Sequence, residues 1–318
     1  MKNSSLKGVG KISELNWDNS DKDNRILCIE NALALCNCRE WEKAISWANI
    51  GIETYSIGIE ENEMCDLAQL YAIKGYCCHF LNSQEESKKY YLKSTEYHFK
   101  AYNTNVHKDK EFYKFLGVDE RNIDSIINSI RLIHPSLFND PMDAPILCNK
   151  DNGVPYIDIF NGIRIGCFGE VKDELFYLNP RKWSFYGDSH KGICICYDFS
   201  GIEVTDEYFL MRKVKYESQY EPNRGIVGGL LSKSKVYEEE DEWRIIIHDR
   251  ELTSLDSPKF IPINLSMIRK VYFGYKCDQK IQEKIYKELS NEENIELFKV
   301  FPSFDNFYEL TCRPFSID

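Results

Sequence analysis

From Arg25 onward, apolar residues recur three and four positions apart, first through Ile29, Leu33 and Cys36, then through Trp41, Ile45 and Ala48. That spacing lays one apolar stripe along one face of a helix, so the stretch predicts a helical hairpin. A second hairpin is predicted from Leu67 to Leu81 and from Glu85 to Tyr102, turning at Asn82-Ser83-Gln84. Residues 1–24 are rich in Lys, Asn, Ser, Gly and Asp, with Leu15 and Trp17 as the main apolar exceptions, which predicts a partly mobile leader. The chain turns polar between Val106 and Glu111, and the periodicity then changes. Phe112 to Phe115 predicts a strand, Asp119 to Ser129 a helix with Asp119 as N-cap, and Ile130 to His134 a second strand stopped by Pro135. Further strands are predicted at Ile163 to Phe168, Gly192 to Phe199, Trp243 to His248 and Lys270 to Phe273. Helices are expected near Asp206 to Met211 and at Asp278 to Ser290. The expected fold is α+β: helical hairpins over 25–105, then a mixed α/β domain over 106–318 with a central, largely antiparallel sheet.

The hairpins align on their turns. Cys38-Arg39-Glu40-Trp41-Glu42-Lys43-Ala44 matches Leu81-Asn82-Ser83-Gln84-Glu85-Glu86-Ser87, with a small residue opening each second helix, and Ala32 and Gly75 take the small position of each first helix. The pattern resembles tetratricopeptide (TPR) repeats, although a segment around Ser56 to Met64 stretches the interval to 43 residues. Two repeats are fewer than a freestanding solenoid needs, so these helices are expected to bury a face against the following domain. A protein partner docking on them is the alternative use.

Charge and cysteine content narrow the class. A net charge of -11 argues against a surface built to neutralise nucleic-acid phosphates, leaving nucleic acid as a substrate only. The twelve cysteines are scattered, no signal peptide precedes them, and several stand at aliphatic positions, as in Cys77-Cys78 and Cys194-Ile195-Cys196. Reduced thiols packed as small hydrophobes in a cytoplasmic protein are expected. No C-x-x-C pair suits zinc, so no structural metal is expected, and no apolar run is long enough to span a membrane.

Several motifs carry candidate chemistry. Asn139-Asp140-Pro141-Met142-Asp143 is a strong turn former, and its Asp140 and Asp143 are also candidate ligands or acids. His190, in His190-Lys191-Gly192, reads either as a general acid/base or as a satisfied structural histidine. In Glu240-Asp241-Glu242-Trp243-Arg244, a strand starting at Glu240 would place Glu240, Glu242 and Arg244 on one face. Paired carboxylates there would repel unless Arg244 offset them, an arrangement suited to catalysis or cation binding. The alternative is a solvated Glu–Arg ladder.

Taken in order, Phe112-Tyr113-Lys114-Phe115, Leu137 to Asp143, Gly166 to Glu170, Trp183 to Gly192 and Lys233 to Arg244 resemble the bacterial domain-of-unknown-function family numbered twenty-nine seventy-one. Met142 departs from the Phe usual there, and Gly169 from a common Ser. The family brings no established activity. The order of strand, helix, strand and a later strand-borne E-x-E is similar to the layout of ADP-ribosyltransferases. That resemblance implies NAD as cofactor and modification of a macromolecular acceptor, with Glu242 as the catalytic carboxylate that stabilises positive charge in the transition state and Glu240 assisting. Tyr113, Ser136, Tyr186 and His190 are then candidates for contacting nicotinamide, although the first strand has Tyr113 and Lys114 where that superfamily usually has Arg or His. Two further readings stay open. One is a magnesium-dependent phosphodiesterase using Asp140, Asp143 and Glu242 with Lys233 or Lys235. The other is a non-catalytic interaction protein. By analogy of organisation, such a two-part chain acts as a toxin or defence effector.

Overall fold

A computed structural model describes residues 21–55, 61–102, 110–140, 143, 161–172, 175–202, 208–219, 225–252, 254–305 and 309–317. The expected leader lies outside the described residues up to residue 20, and from Asp21 the chain is already helical. Four helices follow: α1 (Asp21–Asn37), α2 (Trp41–Glu53), α3 (Glu61–Phe80) and α4 (Gln84–Tyr102). Of the expected insertion between Ser56 and Met64, residues 56–60 lie outside the described residues and the rest belongs to α3.

The small positions matter as the repeat pattern requires. Ala32, Ala44 and Ser87 are fully buried. A Cβ on Gly75 would stand 2.8 Å from the Tyr91 ring, and the Ser87 hydroxyl donates to the Gly75 carbonyl, so α3 and α4 touch backbone to side chain. The other face of α4 is sealed by the second part of the chain. Tyr91 and Phe99 share an apolar core with Ile163, Ile165, Leu210, Ile226 and Ile246. The helices therefore bury a face against the α/β region.

That region begins with β1 (Glu111–Leu116), α5 (Ile123–Asn128), β2 (Ser129–Leu132), β3 (Ile163–Glu170), α6 (Pro180–Phe185), β4 (Ile193–Asp198) and β5 (Phe209–Lys213). It continues through β6 (Lys215–Glu217), α7 (Gly225–Leu230), β7 (Ser232–Ser234), β8 (Glu242–His248), β9 (Lys259–Pro262), β10 (Ile268–Phe273), α8 (Gln279–Leu289), β11 (Glu296–Pro302) and β12 (Leu310–Pro314). Eight strands form one sheet in the order β12-β11-β10-β4-β1-β3-β8-β5. Its neighbours run antiparallel except β10 and β11, which are parallel and joined through α8. The fold is α+β with a mostly antiparallel sheet.

Register sorts the side chains. Tyr113 lies opposite Gly169, Gly169 opposite Glu242, and Cys167 opposite Arg244, so these residues share one face of the sheet. Phe112, Phe168, Trp243 and Ile245 point to the other face, where α5 and α8 close the main core with Ile123, Ile127, Ile281, Ile285 and Leu289. Strand β8 is buried along its whole length, which explains why Ile245-Ile246-Ile247 is apolar without alternation.

Two sequence expectations are corrected. The helix expected near Asp206 to Met211 is the strand β5, with residues 203–207 outside the described residues. Tyr208-Phe209-Leu210-Met211 is a continuous apolar run, and such a run fits a doubly buried strand as well as a helix. The helix expected from Asp119 to Ser129 is only Ile123–Asn128. Asn122 holds the N-cap position, while the Asp119 carboxylate accepts from the Arg121 backbone N–H at 2.8 Å in a turn that precedes the helix. Among the described residues no helix is long and apolar enough to cross a membrane.

Candidate functional site

Near the start of β8 the sheet face carries charge instead of apolar side chains. Strand β8 opens at Glu242, not at Glu240. Glu240 ends a 3-10 helix, Lys235–Glu240, and Asp241 between them adopts a left-handed φ of 49°. The expectation that Glu240, Glu242 and Arg244 alternate along one strand is therefore corrected. Glu242 and Arg244 do alternate, and Glu240 reaches the same place from the preceding turn.

Lys233, at the centre of β7, ties the group together. Its ammonium donates to Glu240 Oε2 at 2.6 Å and to Glu242 Oε2 at 3.0 Å, and stands 3.3 Å from Asp143 Oδ2. Arg244 Nε donates to Glu242 Oε1 at 2.6 Å, its Nη2 pairs with the Asp143 carboxylate, and its Nη1 donates to the carbonyls of Leu230 and Asp143 at 2.6 and 3.2 Å. Three carboxylates thus face two cations, with Arg244 fully buried. The Glu242 backbone N–H donates to the Tyr216 hydroxyl at 2.9 Å, and the Cys167 thiol bonds the Glu242 carboxylate.

Burial by itself would raise the pKa of Glu242. The Arg244 guanidinium and Lys233 ammonium more than offset that and push it down to about 2. Burial likewise opposes the charge on Lys233 and Arg244, and the carboxylates of Glu242 and Asp143 overcome it, holding both cations above their ordinary values. Burial and Glu242 together raise the Cys167 thiol well above the ordinary thiol range, so it remains a protonated donor.

At the outer edge, the Tyr186 hydroxyl donates to Glu240 Oε1 at 2.7 Å. Burial and the Glu240 carboxylate hold that phenol above its usual pKa, so it stays a donor near neutrality. Tyr186 follows α6, a short helix capped by Asn179, whose Oδ1 accepts from the N–H groups of Arg181 and Lys182. Arg181 pairs with Glu239 at 3.3 Å, and the Lys182 ammonium donates to the Tyr113 hydroxyl. The Tyr113 ring stacks on Phe176 at 4.5 Å and lies over Gly169, where any Cβ would overlap it. A side chain at position 169 would displace Tyr113.

Of the sequence candidates, Glu240, Glu242, Arg244, Asp143 and Tyr186 come together. Asp140 joins at the margin through the Tyr237 hydroxyl, and its carbonyl accepts from the Asp143 N–H at 3.1 Å. Residues 141 and 142 lie outside the described residues. Tyr113 lies on the same face two strands away, on β1. Asn139 is exposed, with no bond to the cluster.

Ser136 and His190 do not take part. Ser136 bonds His134, with Nδ1 2.6 Å from its hydroxyl and 3.1 Å from its N–H. His190 closes a run of three left-handed residues, Asp188, Ser189 and His190, and lies against Trp183 and Tyr275. Its Nε2 is 3.2 Å from Ser184 Oγ, whose own proton goes to the Pro180 carbonyl at 2.9 Å. The imidazole and the serine hydroxyl thus tie the loop carrying His190 to α6. Lys182 and Tyr216 belong to the site but carry no motif in the sequence. Lys233, a candidate of the phosphodiesterase reading in the sequence, is also brought into the cluster.

Comparison of the chain with family models, with curated proteins and with solved structures finds no match to it.

Proposed function

We propose that this chain is a cytoplasmic enzyme of the ADP-ribosyltransferase type, in the family its motifs resemble, that uses NAD to modify a macromolecule as a toxin or defence effector. The observation that carries the reading is the cluster in which three carboxylates face two cations, with the more exposed Glu240 held beside the fixed carboxylate of Glu242. With its pKa pushed down to about 2, Glu242 is ionised at every physiological pH and cannot serve as a general acid. A cluster whose carboxylates outnumber its cations by one suits a step in which positive charge appears as a bond breaks. When bound, NAD supplies such a step, since cleavage of its nicotinamide–ribose bond leaves a cationic ribosyl carbon.

The geometry divides the two glutamates. Each oxygen of Glu242 already holds a cation, and its side chain is 8% exposed, against 21% for Glu240. Glu240 is the carboxylate that reaches substrate, oriented by Tyr186 and Lys233, and Glu242 positions the group from below. Tyr186 and the adjoining Phe185, 43% and 69% exposed, suit an aromatic ring at the rim. Arg181 and Lys182, on one helix beside Tyr113, suit a pyrophosphate. The phosphodiesterase reading ranks second. A magnesium ion would have to compete with the Lys233 ammonium, which already stands among Asp143, Glu240 and Glu242.

Release of nicotinamide from labelled NAD, in the presence of cell extract, tests the reading. Glu240→Gln is expected to abolish release while leaving the unfolding free energy within about 1 kcal/mol of the parent, as for a partly exposed group. Release that is indifferent to Glu240→Gln, or magnesium-dependent nucleic-acid cleavage without NAD turnover, would overturn it.

A further inference from the structure

We infer that the α3–α4 hairpin holds an oxyanion site, with Lys74 as its floor and Lys89 and Lys93 as its rim, that takes a phosphate group. This inference is independent of the function proposed above. Lys74 is only 8% exposed, and its ammonium lies 4.0 Å above the Tyr90 ring. The exchange is mutual. Lys93 of α4 lies 5.1 Å over Tyr71 of α3, and the two tyrosine rings stack at 6.3 Å. Lys89 and Lys93 are one turn apart on α4 and share its face.

The ammoniums of Lys93 and Lys89 therefore act on that of Lys74, opposed by the Cys78 thiol and Glu86, in a chain whose formal charge is -11. Elsewhere on these helices lysines find carboxylates, as Lys100 does with Glu96 at 2.7 Å and Lys43 with Glu40 at 3.1 Å. Among the described residues, Lys74, Lys89 and Lys93 have no carboxylate or carbonyl acceptor. A ring face offers a buried ammonium attraction but accepts none of its three N–H bonds in the way an oxygen does.

A nearly buried cation without an acceptor is costly, and burial and the neighbouring ammoniums of Lys93 and Lys89 hold Lys74 below the usual lysine range. An anion with several oxygens removes both penalties. It accepts from Lys74 and neutralises the repulsion among the three lysines. Phosphate fits best, because three dispersed point-charge donors match a tetrahedral group better than a planar carboxylate, which favours a forked guanidinium.

The test is equilibrium unfolding of the full chain with inorganic phosphate, against sodium chloride at matched ionic strength. Phosphate is expected to stabilise the protein progressively beyond the chloride control. Lys74→Met keeps the stem and its contact with Tyr90, and is expected to weaken the phosphate response at least tenfold. Lys100→Met, on α4 with the rim lysines but ion-paired to Glu96, is expected to leave it intact. If Lys74→Met does not fold, Lys93→Met on the rim is read in the same way. Phenyl phosphate in a parallel titration separates the sources: equal affinity marks free phosphate as the ligand, and tighter binding a phosphomonoester carried on an aromatic group. A phosphate response no larger than chloride, or one that survives Lys74→Met and Lys93→Met, overturns the inference.

Discussion

Replacing Lys233 with methionine removes the ammonium that three carboxylates share. Methionine keeps the length of the stem and much of its packing, so the perturbation is mainly one of charge. In the parent, Asp143, Glu240 and Glu242 face Lys233 and Arg244, while in the variant they face Arg244 alone, which bonds Asp143 and Glu242. The side chains of Lys233 and Glu242 are 5% and 8% exposed, so solvent does little to screen the repulsion left behind. Removing one partner of a buried pair costs about 3–5 kcal/mol. Glu240 can turn outward to water, which places the expected loss near the lower end, about 3 kcal/mol. Urea unfolding followed by tryptophan fluorescence measures it as a lowered midpoint at an unchanged m-value. Adding Glu240→Gln to Lys233→Met removes one of the repelling carboxylates and is expected to recover about 1 kcal/mol. A loss below about 1 kcal/mol for Lys233→Met would mean that the cluster behaves as a solvated surface network, refuting the argument from burial.

Two further predictions concern the contact between the helices and the sheet domain. His98 is buried there with Nδ1 3.1 Å from the Ser94 carbonyl, and burial lowers its pKa from 6.5 to about 4. A lowered folded pKa means the unfolded chain takes up the proton first, so stability is full above pH 6.5 and falls by about 3 kcal/mol as pH drops to 4. His98→Gln should flatten the unfolding free energy across that window, and an unchanged slope would assign the pH dependence elsewhere. Gly225 opens α7 at a φ of +73°, and a Cβ there would stand 2.8 Å from Ser94 Oγ and 3.1 Å from the Ala72 Cβ. Gly225→Ala combines left-handed strain with overpacking and should cost about 2–4 kcal/mol in denaturant unfolding. A cost within experimental error would show that the helices do not press on this point.

Where a periodic apolar stripe faced one core, the sequence was readable. The paired hairpins, β1, β3, β4, β8, β10 and α8 lie where the pattern placed them. Reading failed where local and tertiary signals diverged. Strand β5 is apolar on both faces because Phe209 and Met211 enter the main core and Leu210 the core shared with α4 and α7, and a short run with no alternation does not announce its period. Strands β9, β11 and β12 are short or lie toward an edge, where mixed exposure weakens the pattern. The charge cluster was half legible. Glu242 and Arg244 show as an alternating pair, but Glu240 joins only because Asp241 turns left-handed, and Lys233 and Tyr216 arrive from other elements. His190 was equally prominent in the sequence, but its ring bonds Ser184 on α6 and lies against Trp183 and Tyr275 rather than joining the cluster.

Helix α7 joins the two halves physically. Its first residue, Gly225, lies against Ala72, Ser94 and His98 of α3 and α4, and its last carbonyl, Leu230, accepts from Arg244 at 2.6 Å. Three residues further on, Lys233 holds Asp143, Glu240 and Glu242. Ile226, Val227 and Leu230 are buried among Tyr91, Phe99 and Ile246, so the six residues of α7 behave as a packed strut. The helical region thus sets the position of the peptide that carries Lys233. For that reason, cutting the helices away would remove one wall of the core behind the charge cluster, and the α/β region alone would lose the arrangement of Glu240 and Glu242 before it lost its sheet. The repeats and the charge cluster are parts of one packed structure, even though the sequence presents them as separate segments.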